Sequence, residues 1–184
     1  MSSTTAFIQS AQNPLLVVVM GVSGTGKSTL AREIAEHLGL HFLDADALHS
    51  DTAIQQMSQG IPLSDEQRAP WIARICRQLR HFESQQRGCV LAYSGLKQGH
   101  RELIFDCYPK SLGILLKADA DLITQRLQAR SNHFMSAQLL SSQIAAMEPL
   151  HSKMAHLILT LDPADSVQRL LLLSLNFIKP SATP

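Results

Sequence analysis

A continuous apolar run, Leu15 to Met20, leads directly into Gly21-Val22-Ser23-Gly24-Thr25-Gly26-Lys27-Ser28-Thr29, and a helical pattern follows. That order constrains the fold more than any other stretch. Three consecutive valines, Val17 to Val19, read as a strand buried on both faces. The glycines allow a tight loop whose backbone N–H groups converge on phosphate oxygens. Lys27 adds a point charge for β- and γ-phosphates, and the Ser28 hydroxyl suits Mg²⁺. The helix beginning there aims its positive end at the same phosphates. Residues 21–29 are therefore expected to bind ATP or GTP. The Asn-Lys-x-Asp run that reads guanine is absent, which leaves ATP as the expected cofactor, with Mg²⁺.

The remaining chain alternates strand and helix. A helix is expected over Lys27–Leu38: Leu30, Ile34 and Leu38 recur on one face, and Gly39 stops it. Strands are expected at His41–Leu43, Cys89–Tyr93, Leu112–Leu116 and Leu157–Leu161. Helices are expected at Thr52–Gln59, from the capping box Ser64-Asp65-Glu66-Gln67 to about Gln86, and at Asp119–Arg130, Ser136–Met147 and Asp165–Phe177. Pro70 is expected in a first turn. Five strands alternating with helices define an α/β, three-layer P-loop fold with a parallel sheet covered on both faces. Ligands in such sheets bind at the carboxyl ends of the strands. That rule gathers Asp44–His49, Tyr93–Arg101 and the region between Arg126 and Phe134 around the phosphate loop.

At 184 residues the chain is long enough for one domain, expected over 15–178. Residues 1–14 are polar, lack a basic leader and are expected to be a disordered tail; 179–184 form a second tail. A net charge of +1 argues against non-specific nucleic-acid binding. The run Leu170–Leu173 is too short to span a bilayer. Three cysteines, Cys76, Cys89 and Cys107, without metal spacing fit a reducing cytoplasm as buried thiols.

Phosphoryl transfer to a hydroxyl needs a carboxylate to take the proton and groups to hold the metal. Strand alternation would point Asp44 and Asp46 the same way. Asp46 would then meet the acceptor hydroxyl while Asp44 reaches the Mg²⁺ shell through water. A solvated loop or a helix cap fits the same pair. Arg126 and Arg130, four apart on a helix, suit a lid that closes on phosphates, or a solvated face. Arg68 and Arg101 could each clamp a carboxylate. Trp71 reads as core.

Together these fragments resemble the small P-loop gluconate kinases. The resemblance runs from Val19 to about Pro149. It rests on the phosphate loop, Phe42-Leu43-Asp44-Ala45-Asp46-Ala47-Leu48-His49, and the Gly60-x-Pro62-Leu63-x-Asp65-x-x-Arg68-x-Pro70-Trp71 block. It continues through Ser94-Gly95-Leu96-Lys97, Arg101, Arg126-x-x-x-Arg130-x-x-His133-Phe134, and Leu139-Leu140-Ser141-Ser142-Gln143 with Glu148-Pro149. It implies transfer of the ATP γ-phosphate to the 6-hydroxyl of D-gluconate. It implies a nucleoside-monophosphate-kinase-like fold with strand order 2-3-1-4-5, a small helical lid around 126–148, and a homodimer. Asp46 would be the base, Lys27, Arg126 and Arg130 the charge-bearing groups, and His49, Arg68, Lys97, Arg101 and His133 substrate contacts. The chain departs from the family pattern at Ala45, Ser50, Ala53, Gln56, Tyr93 and His100, in loops expected to touch the acceptor. Another sugar acid, shikimate, or a nucleotide-binding regulator without catalysis are the alternatives.

Overall fold

The computed structural model describes residues 14–117, 137–155 and 157–179. Five strands make one parallel sheet: β1 (Leu15–Met20), β2 (His41–Asp44), β3 (Cys89–Tyr93), β4 (Lys110–Leu116) and β5 (Ile158–Leu161). Their order is β2-β3-β1-β4-β5, as the resemblance implies. β1 lies at the centre, with Val18 opposite Leu91 on one side and Gly113 on the other.

Strand alternation divides the core in two. Leu16, Val18 and Met20 join Trp71, Ile75, Leu79 and Ile104 on one face. Val17 and Val19 join Leu30, Ile34, Leu170 and Ile178 on the other. A strand buried on both faces has no polar side, which is why Leu15–Met20 reads as a continuous apolar run.

The first helix, α1 (Lys27–Leu38), ends as expected at Gly39, whose φ of 65° is left-handed. A short 3-10 turn, Ala45–Leu48, follows β2, and α2 (Asp51–Ser58) comes next. The third helix, α3 (Asp65–Ser84), opens on a complete capping box: the Ser64 hydroxyl accepts from Gln67 N, and the Gln67 side chain accepts from Ser64 N. Pro70 lies inside this helix and not in its first turn, a correction to the sequence reading. The N–H that would have bonded the Glu66 carbonyl is lost, and the ring crowds that carbonyl, one turn from the helix start. The capping box secures the turn upstream.

Helix α4 (Gln98–Phe105) was not expected from the sequence. The described chain then resumes with α5 (Ala137–Ala146), a single turn α6 (Ser152–Ala155), and α7 (Val167–Ile178), capped by Ser166. The expected tail 1–14, except Pro14, and the expected helix Asp119–Arg130 lie outside the described residues. Among the described residues no helix is long and apolar enough to cross a membrane.

Candidate active site

The phosphate loop joins β1 to α1 and is built mostly of backbone. Gly21 has a φ of 151°, and a Cβ there would stand 2.6 Å from Thr25 Oγ1 and 2.9 Å from the Leu116 carbonyl. The loop is tied down locally and remotely. Thr25 Oγ1 donates to the Val22 carbonyl at 2.9 Å, and Gly21 N donates to the Ser94 carbonyl at 3.4 Å, at the end of β3. The N-terminus of α1 has no side-chain cap. Its orphan N–H groups are therefore open to an anion. A small cavity of about 70 Å³ lies over it, lined by Ser23, Gly24, Gly26, Lys27, Ser28 and Asp46, among others. An uncapped helix start, a buried lysine and a hydroxyl in one cradle fit a Mg²⁺-bound triphosphate. Among the described residues no cluster of three or more His, Cys, Asp or Glu could hold a metal. In phosphate-loop sites the loop serine or threonine hydroxyl joins phosphate oxygens and waters around Mg²⁺.

A second cavity adjoins the first. Ser23, Lys27 and Asp46 line both. Its other walls come from His49, Arg68, Trp71, Ser94 and Gln143, together with apolar Met57, Leu63 and Leu139. Trp71 is core, as read from the sequence, at 4% exposure, and it is also a wall of the site. Its Nε1 donates to the Ala45 carbonyl at 2.7 Å, which ties α3 to the loop after β2. His49 stacks on it with ring centroids 4.2 Å apart and planes 16° from parallel. Burial pushes the His49 pKa below its ordinary value, Asp46 opposes that shift, and Arg74 and Arg68 add to it. His49 Nδ1 is buried without a hydrogen-bond partner among the described residues.

The acidic pair is not arranged as strand alternation predicted. Residues 45–48 coil into a 3-10 turn, so Asp44 and Asp46 do not share a face. Asp44 Oδ1 accepts from Asp46 N at 3.1 Å and caps the turn. Asp46 alone faces the cavities.

Arg68 reaches the second cavity with a side chain 15% exposed and an ion pair to Asp65 at 2.8 Å. Lys97 stands at the N-cap of α4 and is not among the cavity-lining residues. Its Nζ lies 3.2 Å from Glu148 Oε1 and 3.8 Å from Asp65 Oδ2. Arg101 is a correction. It is 1% exposed and its guanidinium donates to the carbonyls of Gly95, Leu96, Glu148 and Pro149 and to Gln98 Oε1. It staples α4 to the segment after α5; both terminal nitrogens are taken by those acceptors, its Nε is buried without a partner among the described residues, and Arg101 is not among the residues lining either cavity. Arg126, Arg130 and His133 lie outside the described residues.

The departures from the family pattern also fall differently than expected. Ala45 is buried, and Tyr93 is buried against Trp71. Gln56 exchanges hydrogen bonds with Gln67 and donates to the Pro62 carbonyl. None of Ala45, Ser50, Ala53, Gln56, Tyr93 or His100 lines the second cavity. They do not by themselves argue for a different acceptor.

Fold and cradle define a P-loop kinase. A family profile described as an AAA domain matches residues 16–151. The chain is 43% identical over 141 residues to a gluconokinase of Gluconobacter oxydans, covering 76% of this chain and 79% of that protein. It is 36% identical to a probable gluconokinase of Dictyostelium discoideum, over 91% of this chain and 88% of that one. A solved gluconokinase from Sinorhizobium meliloti superposes with a TM-score of 0.81 at 31% identity, covering 93% and 95% of the two chains. The protein belongs to the gluconokinase family.

Proposed function

We propose that this protein transfers the γ-phosphate of ATP to the 6-hydroxyl of D-gluconate, giving 6-phosphogluconate and ADP. The observation that carries the reading is the position of Asp46 and Lys27, which stand in both cavities at once. An acceptor in the cavity beside His49 and Arg68 meets a phosphate in the cavity over the loop at these two side chains.

The chemistry follows from the groups present. The acceptor hydroxyl gives its proton to the Asp46 carboxylate as its oxygen bonds the γ-phosphorus. The bond from that phosphorus to the β-bridging oxygen breaks, and ADP leaves. Lys27 draws charge from the phosphate oxygens. Mg²⁺ would supply further neutralisation when bound with ATP, with Ser28 assigned as its protein ligand and Asp44 assigned to its shell through water. Arg126 and Arg130 are assigned to the transferring phosphoryl group, from a lid over 126–148 of a single kinase domain spanning 15–178.

Arg68 is assigned to the gluconate carboxylate, with Lys97 and His133 assigned as further substrate contacts. His49, kept neutral by burial, is assigned to acceptor hydroxyls. An orphaned lone pair on the buried Nδ1 costs less than an orphaned N–H, which puts the ring hydrogen on Nε2 as a donor.

The cytoplasm is the compartment assigned. Cys76, Cys89 and Cys107 are all free and buried, as a reducing environment allows. A homodimer is the assembly the family resemblance implies, and light scattering on the purified chain checks it. The test of function is ATP consumption by pure protein across a panel of C5–C7 sugar acids and shikimate. Gluconate is expected to stimulate turnover most, with 6-phosphogluconate as the product. No stimulation by any member of the panel would remove the kinase reading.

A further inference from the structure

Gln143 makes a bond that none of the assigned roles uses. Ser23 N, in the phosphate loop, donates to Gln143 Oε1 at 2.8 Å, across 120 residues of chain. The bond settles which way the amide faces, because only its oxygen can accept. With Oε1 turned to the loop, the two Nε2 hydrogens point to the other side of the amide. No described protein group takes them, and Gln143 lines the cavity that holds Asp46, His49 and Arg68.

The helix carrying Gln143 is held at several points. Leu140 packs with Val22 and Leu96. Beyond the helix, Glu148 N donates to the Leu96 carbonyl at 2.8 Å, and Gln98 N donates to Glu148 Oε2 at 2.6 Å. In this arrangement the amide is a donor held at the border of the two cavities.

Its chemistry complements Asp46. A carboxylate accepts and cannot donate, whereas each hydroxyl of a polyol both donates and accepts. A donor on the attacking oxygen would draw off the lone pair needed for bond formation, so the useful place for Nε2 is the neighbouring hydroxyl. We propose that Gln143 is a specificity-determining residue for the acceptor. Its Nε2 donates to the hydroxyl next to the one phosphorylated, while Ser23 N holds Oε1 and so registers the acceptor against the phosphate loop. This rests on the gluconokinase reading, in which that neighbour is the 5-hydroxyl.

The test uses two variants and two acceptors. Gln143→Glu keeps an acceptor for Ser23 N and loses the donor; Gln143→Met keeps the shape and loses both. With gluconate, both variants are expected to lose about 10- to 100-fold in kcat/KM, the scale of one hydrogen bond in a desolvated site, with KM for ATP within about twofold of wild type. Wild type is expected to lose a similar factor with 5-deoxygluconate, and Gln143→Met to lose little more with that acceptor than it already has. A Gln143→Glu enzyme with wild-type kinetics would show that only the bond to Ser23 matters, and would overturn the proposal. Losses that multiply fully between variant and deoxy acceptor would overturn it too, as would a large rise in KM for ATP. Wild-type protein inert toward gluconate removes the gluconokinase reading itself, and this proposal with it; that outcome is distinct from any difference between variants.

Discussion

The phosphate cradle and the acceptor cavity share Ser23, Lys27 and Asp46, yet they are made of different material. The cradle is one contiguous stretch, Gly21 to Thr29, whose ligands are mostly backbone N–H groups shaped by glycines. The acceptor cavity is made of side chains from places far apart: Asp46 and His49 after β2, Arg68 and Trp71 on α3, Ser94 after β3 and Gln143 on α5. A backbone cradle tolerates much side-chain change and recognises a generic triphosphate. A side-chain cavity can be retuned one residue at a time, which suits the half that must tell one polyol acid from another. Variants that damage one half and spare the other measure how separate the halves are.

Asp46 belongs to both, so it gives the largest effect. Asp46→Asn is expected to lower kcat by about 10²- to 10⁴-fold, the usual contribution of a general base, with ATP affinity unchanged. Turnover by rapid coupled assay and nucleotide binding by calorimetry make the check. Near-normal turnover would take the base role from Asp46.

Arg101 comes next and should act on folding, not on recognition. Arg101→Met leaves the carbonyls of Gly95, Leu96, Glu148 and Pro149 without their shared donor. Buried acceptors stripped of partners cost about 1–3 kcal/mol each, though relaxation and water recover part of that. A loss of about 3 kcal/mol or more in urea unfolding is expected. A variant of normal stability with a raised KM for gluconate would reverse the assignment and return Arg101 to the acceptor.

Arg68 tests the acceptor half alone. Arg68→Gln is expected to raise KM for gluconate by about 10- to 100-fold, as a charged hydrogen bond of about 1.5–3 kcal/mol predicts. KM for ATP should stay put. Equal changes in both constants would place Arg68 on the phosphates and merge the two halves.

What could be read from the sequence follows the same division. Local interactions were legible. Leu15–Met20, Lys27–Leu38 with its Gly39 stop, and Cys89–Tyr93 have the expected bounds, because their patterns and caps lie within the segment. The capping box at Ser64 was legible for the same reason. Helix α4 was not: Gly99 sits in its first turn, and its buried residues include the polar Arg101. The fate of Arg101 depends on carbonyls up to 48 residues away, which no local pattern reports. A common face for Asp44 and Asp46 requires an extended backbone, which the 3-10 turn over 45–48 replaces. Gln143 did leave a trace. Leu139 and Leu140 are buried on α5, and Gln143 lies four and three residues on, so a polar residue shares the apolar face. Such a residue has a partner to find, and here it is Ser23 N.

The smallest expected effect concerns His49, and its sign can be worked out. Burial holds the folded-state pKa below the ordinary value near 6.5. Between those two values the unfolded chain binds more protons than the folded one, so stability rises with pH across that window. Above it both states are neutral at His49 and the residue contributes no pH dependence. As pH falls from 6.5 toward the folded pKa a penalty accumulates, and below that pKa it is constant. His49→Phe keeps a ring to stack on Trp71 and removes the titration. Urea unfolding of both proteins at pH 7.5 and pH 5 should show wild type losing more stability on acidification than the variant, by less than the change expected at Arg68. Parallel losses would mean that the stacked imidazole is accessible enough to protonate without penalty, and that the wall it forms is more open to water than the phosphate cradle beside it.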